Sequence, residues 1–306
     1  MQFKSFIRFI HSTPSIYSAE KSSLAILRKK TGYTFANCKK ALELHQNDLP
    51  KAEQWLKEQA QALGWSKATK LEGRITQQGL VGVIVQRNIG AMVEVNCETD
   101  FVARNKMFQQ FVESVSVACL HHFRNIPVNN TLTKLNLEAE NLKSIEGLEG
   151  KSLGDELALL IGNVGENATL RRAICFKSSD PIVLFGVSHP TNFSASTNVH
   201  LGKYGSIVAA KCTGDLDDNS TLPKNICQHI IGMKPDKVGS LDVDKPNEDK
   251  DEERCLIHQE FILEPGKTAG EIFAENSLEV VDFCRFECGE NIATGDEKLN
   301  VVEAVN

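Results

Sequence analysis

The sequence of 306 residues has no apolar run as long as the ~20 residues that a helix needs to cross a bilayer. It also has no block rich in lysine and arginine in the part expected to fold, and its formal net charge is -6. General nucleic-acid binding requires a basic surface that replaces phosphate counterions, so the composition does not support it. We therefore expect a soluble protein with neither a membrane nor nucleic acid as a direct partner. These counts leave room for a local basic patch.

The nine cysteines are scattered, and no Cys-x-x-Cys pair occurs among them. In a reducing compartment such cysteines are more typical of small buried side chains than of disulfides. Cys255 and His258 could in principle gather with Cys284 and Cys288 around a zinc ion. We predict a strand over residues 255–263, on which Cys255 and His258 would point to opposite faces. We therefore expect no metal site.

A catalytic motif is also missing, since no Gly-x-Ser-x-Gly and no nucleophile with a matching base is found. Gly266-Lys267-Thr268 lies between a predicted strand and a predicted helix, where a phosphate-binding loop would lie. Phe261 occupies the position at which that loop requires a glycine. We interpret Thr268 as a helix N-cap and expect no enzyme activity and no cofactor. An enzyme using Lys267 is the alternative, which GTP hydrolysis by the isolated protein would support.

The N-terminal segment, residues 1–19, differs in composition from the rest. It contains no aspartate or glutamate, and Lys4 and Arg8 are interspersed among apolar residues at helical spacing. An amphipathic, basic and acid-free N-terminus is typical of a mitochondrial transit peptide, and an irregular tail is the alternative. We predict cleavage near residues 17–20.

The pattern of the remaining chain predicts an α+β fold. Apolar residues at helical spacing predict three helices within residues 22–64, followed by a linker over 65–78. Strands and helices then come in blocks rather than in strict alternation, which favours antiparallel sheets. We assign residues 79–180 and 181–302 to two core subdomains, each built from an antiparallel sheet and helices. Residues between the helix that ends near Phe123 and Gly150 show no regular pattern.

A hairpin opens the core, with strands from Leu80 to Gln86 and from Ala91 to Cys97. On the second strand, the alternation places Val93, Val95 and Cys97 on one face and the polar Glu94 and Asn96 on the other. Such alternation is typical of an antiparallel sheet that is covered on one side only.

Residues 93–105 (VEVNCETDFVARN) form the most informative stretch, because a strand there meets the start of a helix. Thr99 or Asp100 can cap that helix. Phe101 precedes Phe108 by seven residues, so continuous helical geometry would place the two rings nearly in line. Aromatic residues at helical spacing are usually core residues, and the residues alone favour a buried Phe101. Exposure of this ring would instead favour contact with a partner.

The same stretch closely resembles the signature of translation elongation factor Ts. The stretches LRKKTGYTFANCKKAL and NDLPKAEQWL resemble the family's N-terminal module, a three-helix bundle of the ubiquitin-associated type. Three further motifs match in the family's order: Gly165-Glu166-Asn167 with Arg171-Arg172, His200-Leu201-Gly202, and the run FCRFECGE at 283–290. The resemblance covers residues 22–292. The acidic tract 241–254 stands where bacterial members carry a helical hairpin, which indicates the shortened mitochondrial form.

The resemblance implies a guanine-nucleotide exchange factor for mitochondrial elongation factor Tu, acting in the mitochondrial matrix. In the family, an Asp-Phe pair enters a gap between helices of the Tu GTP-binding domain and displaces elements that support magnesium and the β-phosphate. On this sequence Phe101 would be the inserted ring and Asp100 its polar companion, with Thr99 and Val102 holding the corner. The three-helix module would dock on the same domain. Weaker candidates for contact with Tu are Asn96, His200 and Gly202.

A ubiquitin-binding adaptor is a competing class, because similar three-helix modules bind ubiquitin. The acid-free N-terminus and the motifs after residue 93 argue against it. A pull-down that compares Tu with ubiquitin would separate the two classes.

Overall fold

The structure, a computed structural model, describes residues 22–31, 33, 35–127, 130–191, 198–212, 220–291 and 303–305. The predicted transit peptide lies outside the described residues and stays a prediction. Within the described ranges, no helix is long and apolar enough to span a membrane. The chain divides into two compact units, Met1–Ala60 and Gln61–Asn306.

The first unit contains the three predicted helices, which are confirmed. They are α1 (Ser23–Thr31), α2 (Phe35–Leu44) and the first half of α3 (Leu49–Leu71). Asp48 begins α3 as predicted, since its Oδ1 accepts a hydrogen bond from the Lys51 N–H at 3.0 Å. The small core consists of Leu27, Cys38, Ala41, Leu42, Ala52 and Leu56.

The second unit holds two antiparallel sheets, so the predicted α+β class is confirmed. A six-stranded sheet has the order β6-β1-β2-β4-β3-β9, and a three-stranded sheet has the order β5-β7-β8. The strands are β1 (Gln78–Gln86), β2 (Ile89–Cys97), β3 (Leu132–Glu138), β4 (Ala168–Ser178), β5 (Ile182–His189), β6 (His200–Gly202), β7 (Tyr204–Cys212), β8 (Leu278–Glu287) and β9 (Glu303–Val305). The helices are α4 (Asp100–Ala103), α5 (Lys106–Arg124), α6 (Ala139–Ser144), α7 (Leu153–Val164), α8 (Leu222–Met233) and α9 (Ala269–Glu275), with 3₁₀ helices at Lys250–Glu252 and Leu256–His258.

Strand β2, inside the six-stranded sheet, is buried on both faces. Val93, Val95 and Cys97 of β2 pack with α4, α5 and α7 in the largest core. On the opposite face, Met92 packs in a second core with residues of β5 and β7. The prediction that Glu94 and Asn96 face solvent is therefore wrong, because the second sheet covers them and leaves Glu94 0% and Asn96 1% exposed.

A third core lies on the outer side of the three-stranded sheet, where α8, α9 and the segment around Leu256 pack together. The predicted strand over 255–263 is wrong. The His258 N–H donates to the Cys255 carbonyl at 3.0 Å, which closes a 3₁₀ turn instead. Leu256, Ile257 and Phe261 all enter one core, so this apolar run reflects burial rather than extended backbone.

Three strands were missed by the sequence analysis: β3, β6 and β9. β3 lies within the stretch for which no pattern was predicted, and pairing with β4 along its whole length stabilises it despite its polar composition. β6 lies in the part assigned to the second subdomain, yet it pairs with β1, with His200 opposite Val83 and Gly202 opposite Val81. The predicted subdomain limits stay predictions, and the first sheet takes two strands, β6 and β9, from beyond residue 180.

Candidate functional site

The site is built on the corner between β2 and α4. Thr99 has an extended backbone and caps α4, its Oγ1 accepting a hydrogen bond from the Val102 N–H at 3.4 Å. Its carbonyl accepts from the Ala103 N–H at 3.2 Å. Of the two predicted caps, Thr99 is the one that the structure uses, because it is the last residue with strand geometry.

Phe101 is 81% exposed at this corner, so the interpretation of Phe101 as a core residue is wrong. The helix that would have aligned it with Phe108 is interrupted. α4 ends at Ala103, and α5 begins after a new N-cap, Asn105, whose Oδ1 accepts from the Met107 N–H at 2.8 Å. Phe108 is fully buried on α5, while the break leaves Phe101 on the outer side of the short α4.

Val102 and Ala103 hold the corner from the inside, since they are 7% and 1% exposed and belong to the main core. Asp100 lies beside the exposed ring with its side chain 45% exposed, and Arg104 pairs with it at 3.3 Å. Such an exposed ion pair contributes little free energy. The corner therefore presents an acid and an aromatic ring on a backbone that the core fixes.

A second loop supports the corner from behind. α7 ends at Val164, and the C-cap that follows, Gly165, adopts a positive φ of 79° that favours glycine. The next residue, Glu166, accepts hydrogen bonds from Thr99 Oγ1 at 2.8 and 3.1 Å. The Asn167 N–H donates to Glu98 Oε1 at 2.6 Å. Two motifs that are distant in sequence thus meet around Thr99.

Glu166 was not among the predicted site residues. Its motif, Gly165-Glu166-Asn167, was recognised only as a family resemblance, and nothing in the spacing of the sequence indicates that it faces Thr99. Two signals could have identified Glu166. The motif around Thr99 and the motif Gly165-Glu166-Asn167 both belong to the same family, and both are polar segments that adjoin buried strands.

Behind the corner, the buried Glu94 forms the centre of a charged network. Its Oε2 accepts from Arg172 Nε at 2.7 Å and its Oε1 from Arg171 Nη1 at 3.4 Å. Oε1 also accepts from the Gly289 N–H at 2.7 Å. Charge-assisted bonds of this number can compensate for the loss of solvation of a fully buried carboxylate.

Glu290 extends this network to the end of the second sheet. Its carboxylate pairs with Arg172, and with Arg285 at 3.4 Å. Burial by itself lowers the pKa of Arg172, but Glu94 and Glu290 outweigh it and hold that pKa above its usual value. The network ties β2 and β4 of one sheet to the segment after β8 of the other.

The three weaker candidates lie in different environments. The Asn96 side chain is buried and donates to Glu94 Oε1 at 3.1 Å. Gly202 is buried too, and a Cβ atom there would lie 2.6 Å from the His189 carbonyl oxygen. His200 is exposed on β6. A direct contact between a partner and Asn96 or Gly202 would require these residues to be uncovered, so their positions in the structure favour a supporting role.

The alternative chemical sites have other local partners. The prediction of Thr268 as an N-cap is confirmed, and it forms a capping box with Glu271. Lys267 Nζ pairs with Glu275 at 2.7 Å. His258 Nε2 lies 3.0 Å from the Asp244 carbonyl oxygen, and Cys255 Sγ lies 3.5 Å from the Val238 carbonyl oxygen. In the part of the chain that the structure describes, no cluster of three or more metal-ligand side chains occurs.

All nine cysteines are free thiols, and the interpretation as small buried side chains is confirmed for six of them, while Cys212, Cys284 and Cys288 are partly exposed. Burial raises the pKa of Cys97, Cys119, Cys227, Cys284 and Cys288 to about 12. These thiols are therefore protonated and unreactive at neutral pH.

Comparison with known proteins finds two family models. The model for "Elongation factor Ts, mitochondrial, N-terminal" matches residues 7–66, and the model for "Elongation factor TS" matches residues 98–253. Mitochondrial elongation factor Ts of Aedes aegypti is 57% identical over 99% of this chain and 100% of its own length. The Drosophila melanogaster protein of that name is 53% identical (94% and 93% covered), and the Mus musculus protein is 42% identical (92% and 88%).

With the family matches, the site and the fold define a class of protein, the translation elongation factors that function in protein biosynthesis. Within that class, the chain belongs to the elongation factor Ts family, in its mitochondrial form.

Proposed function

We propose that this protein is a guanine-nucleotide exchange factor that binds mitochondrial elongation factor Tu in its GDP-bound form and promotes GDP release in the matrix. It acts by binding, forms no covalent bond and is not an enzyme. The observation that carries the proposal is the exposure of Phe101, 81% at the tip of a corner in which the next residues, Val102 and Ala103, are buried. The family resemblance of the sequence around it supplies the partner.

A large exposed ring on a fixed backbone is suited to insertion into a partner. Aromatic side chains contribute much of the binding energy at protein interfaces when they enter a pocket. Val102 is buried and Thr99 is bonded to Glu166, so the corner does not have to become ordered on binding. Asp100 can accept hydrogen bonds beside the ring, where the exposed Arg104 holds it only weakly.

Exchange by this means is a matter of linked equilibria. Phe101 and Asp100 would occupy positions that Tu needs for its contacts with magnesium and phosphate. This protein would then weaken the binding of GDP to Tu, and GDP would weaken the binding of this protein to Tu by the same factor. A state of Tu without nucleotide is then stabilised, and GDP leaves faster.

Other surfaces would complete the interface. In the three-helix unit, the apolar side chains of Ile26, Phe35 and Leu44 are 40%, 54% and 56% exposed, which supports docking of residues 22–64 on the same Tu domain. In the second half, the exposed His200 is the better candidate for a contact with a more distant surface of Tu. We assign Asn96 and Gly202 to positioning of the strands behind these contacts.

The experiment is release of labelled GDP from mitochondrial Tu with and without this protein. We expect Phe101→Ala to slow stimulated release about tenfold or more, and Asp100→Ala to slow it less. Leu148→Ala is the matched control, because Leu148 is also exposed, at 58%, but lies in the turn between α6 and α7. Since the Phe101 ring is exposed, its removal should change the free energy of unfolding by no more than about 0.5 kcal/mol.

Unchanged GDP release by a folded Phe101→Ala variant would contradict the insertion of this ring. Release that is not stimulated even by the unaltered protein would contradict the exchange function as a whole. For the location, the N-terminus of the mature protein from isolated mitochondria should lie near residue 20, and an intact Met1 would contradict a cleaved transit peptide.

A further inference from the structure

A basic recess lies at the end of the β1–β2 hairpin. It has a volume of about 530 Å³ and is lined by Gln86, Arg87, Asn88, Ile89, Arg124 and Lys177. Three of these residues are cations and none is acidic, although the chain has a net charge of -6. The three cations come from a turn, a helix end and a strand end that are far apart in sequence. The positive charge is therefore a product of the fold.

Arg87 occupies the turn in a left-handed conformation, with a φ of 56°. Arg87 and Asn88 form a two-residue turn between paired strands, and such turns require a positive φ, so the hairpin geometry accounts for this conformation. The turn is held in place because the Asn88 Nδ2 donates to the Ser178 carbonyl and the Ser178 N–H donates to the Asn88 carbonyl, both at 2.8 Å. Arg87 is exposed, and its guanidinium has no hydrogen-bond or ion-pair partner among the described residues. Its five donors are thus available to a ligand.

Lys177 and Arg124 also line the recess. Lys177 Nζ donates to the carbonyls of Arg124 and Ile126, both at 3.0 Å. These carbonyls lie at the negative C-terminal end of α5, which would otherwise repel an anion. Arg124 Nη2 donates to Gln86 Oε1 at 2.8 Å, which orients the guanidinium, and its other donors bond to none of the described residues. Lys177 therefore compensates the negative end of α5, and the two arginines remain available to bind an anion.

We propose that this recess binds a phosphate-bearing small molecule, through Arg87 and Arg124 with Lys177 behind them. The planar guanidinium matches a phosphate group with two parallel hydrogen bonds. A recess of this volume lies within the size range of small-molecule sites and has room for an organic group attached to the phosphate. A polynucleotide is disfavoured, because three cations replace few counterions and the net charge of the chain opposes it.

The test is calorimetric titration of the full-length protein with inorganic phosphate, pyrophosphate, ADP, GDP and a short single-stranded RNA. Arg87→Asn removes the charge and keeps a residue that tolerates a positive φ, so the turn is retained. Arg124→Gln removes the second charge. Arg28→Gln is the matched control, because Arg28 is an exposed arginine on α1, far from the recess in sequence.

We expect binding of at least one phosphate-bearing small molecule, weakened about tenfold by Arg87→Asn and further by the double variant, and unchanged by Arg28→Gln. If a nucleotide binds more tightly than inorganic phosphate, the site is assigned to organic phosphates. If the two bind equally, it is assigned to the free anion. Both outcomes support the proposal. No binding of any small phosphate, or equal weakening by Arg28→Gln, would overturn it. Preferential binding of RNA with the same arginine dependence would replace it with a nucleic-acid site.

Discussion

Thr99 and Glu166 are 67 residues apart in sequence, and the Thr99 hydroxyl donates to both carboxylate oxygens of Glu166, at 2.8 and 3.1 Å. The same hydroxyl caps α4 by accepting from the Val102 N–H. One side chain thus connects the end of β2, the start of α4 and the loop after α7. The orientation of the exposed Phe101 depends on this connection, because α4 has only four residues.

The first prediction concerns this connection. We expect Thr99→Val to slow Tu-stimulated GDP release several-fold, since it removes both the cap and the bond to Glu166, and to cost about 1 kcal/mol of the free energy of unfolding. Thr99→Ser keeps the hydroxyl and should restore most of the rate. A double-mutant cycle with Glu166→Gln, read out by GDP release, should give a coupling free energy of about 1 kcal/mol. Strictly additive effects of the two changes would show that the two residues act separately.

A second prediction follows from the burial of Glu94. Glu94→Gln should lower the free energy of unfolding by about 3 kcal/mol or more, because the guanidinium groups of Arg171 and Arg172 lose the carboxylate that compensates them. Urea unfolding should show a lower midpoint at an unchanged slope. Glu279→Gln is the control, since the Glu279 pair with Lys211 is largely exposed and should change stability by less than about 1 kcal/mol. Equal effects of the two variants would refute a structural role for the buried network.

The third prediction is a pH dependence from His229, which is fully buried on α8. The Ile262 N–H donates to Nδ1 at 3.2 Å, so Nε2 carries the proton and faces Gln259 Oε1 at 3.2 Å. Burial lowers the pKa of His229 from 6.5 to about 4, an effect that the bond to Gln259 partly opposes. The unfolded chain therefore binds this proton more readily than the folded one as the pH falls.

From this sign, the contribution of His229 to stability is complete above about pH 6.5 and is lost as the pH falls towards 4, by about 3 kcal/mol in total. The measurement is urea unfolding from pH 7 to pH 4 for the unaltered protein and for His229→Gln. The difference in stability between the two proteins should shrink as the pH falls, and a difference that stays constant would contradict the buried neutral ring.

The fourth prediction tests whether Gly202 supports the strands around it or contacts Tu directly. A Cβ atom at this position would lie within 2.6 to 2.8 Å of three His189 backbone atoms, which cannot move aside as a side-chain end could. We expect Gly202→Ala to destabilise the protein by about 1–3 kcal/mol through this overlap. Gly232→Ala is the control, because the nearest atom there is a flexible Ile262 methyl group at 3.3 Å. Loss of Tu binding by Gly202→Ala without loss of stability would instead indicate a direct contact.

Local patterns predicted those parts of the fold that local interactions decide. The three helices of the first unit, the cap at Asp48 and the N-cap at Thr268 depend on residues within a few positions of one another, and they were confirmed. The strand predicted at 255–263 failed because its apolar residues are buried by α8 and α9 rather than by sheet pairing. β3 was missed because pairing with β4 outweighs its polar composition.

By itself, the sequence determined the family, the α+β class and the position of the corner at residues 99–102, because ordered motifs and helix caps are local features. Only the tertiary structure decided that Phe101 is exposed and that Glu94 is buried among arginines. It also decided that Glu166 bonds to Thr99 and that three cations line the basic recess. Each of these depends on which distant segments pack together. Burial, the pairing of charges and the support of a loop are properties of neighbours in space, and residues tens of positions apart in sequence become such neighbours only when the sheets assemble.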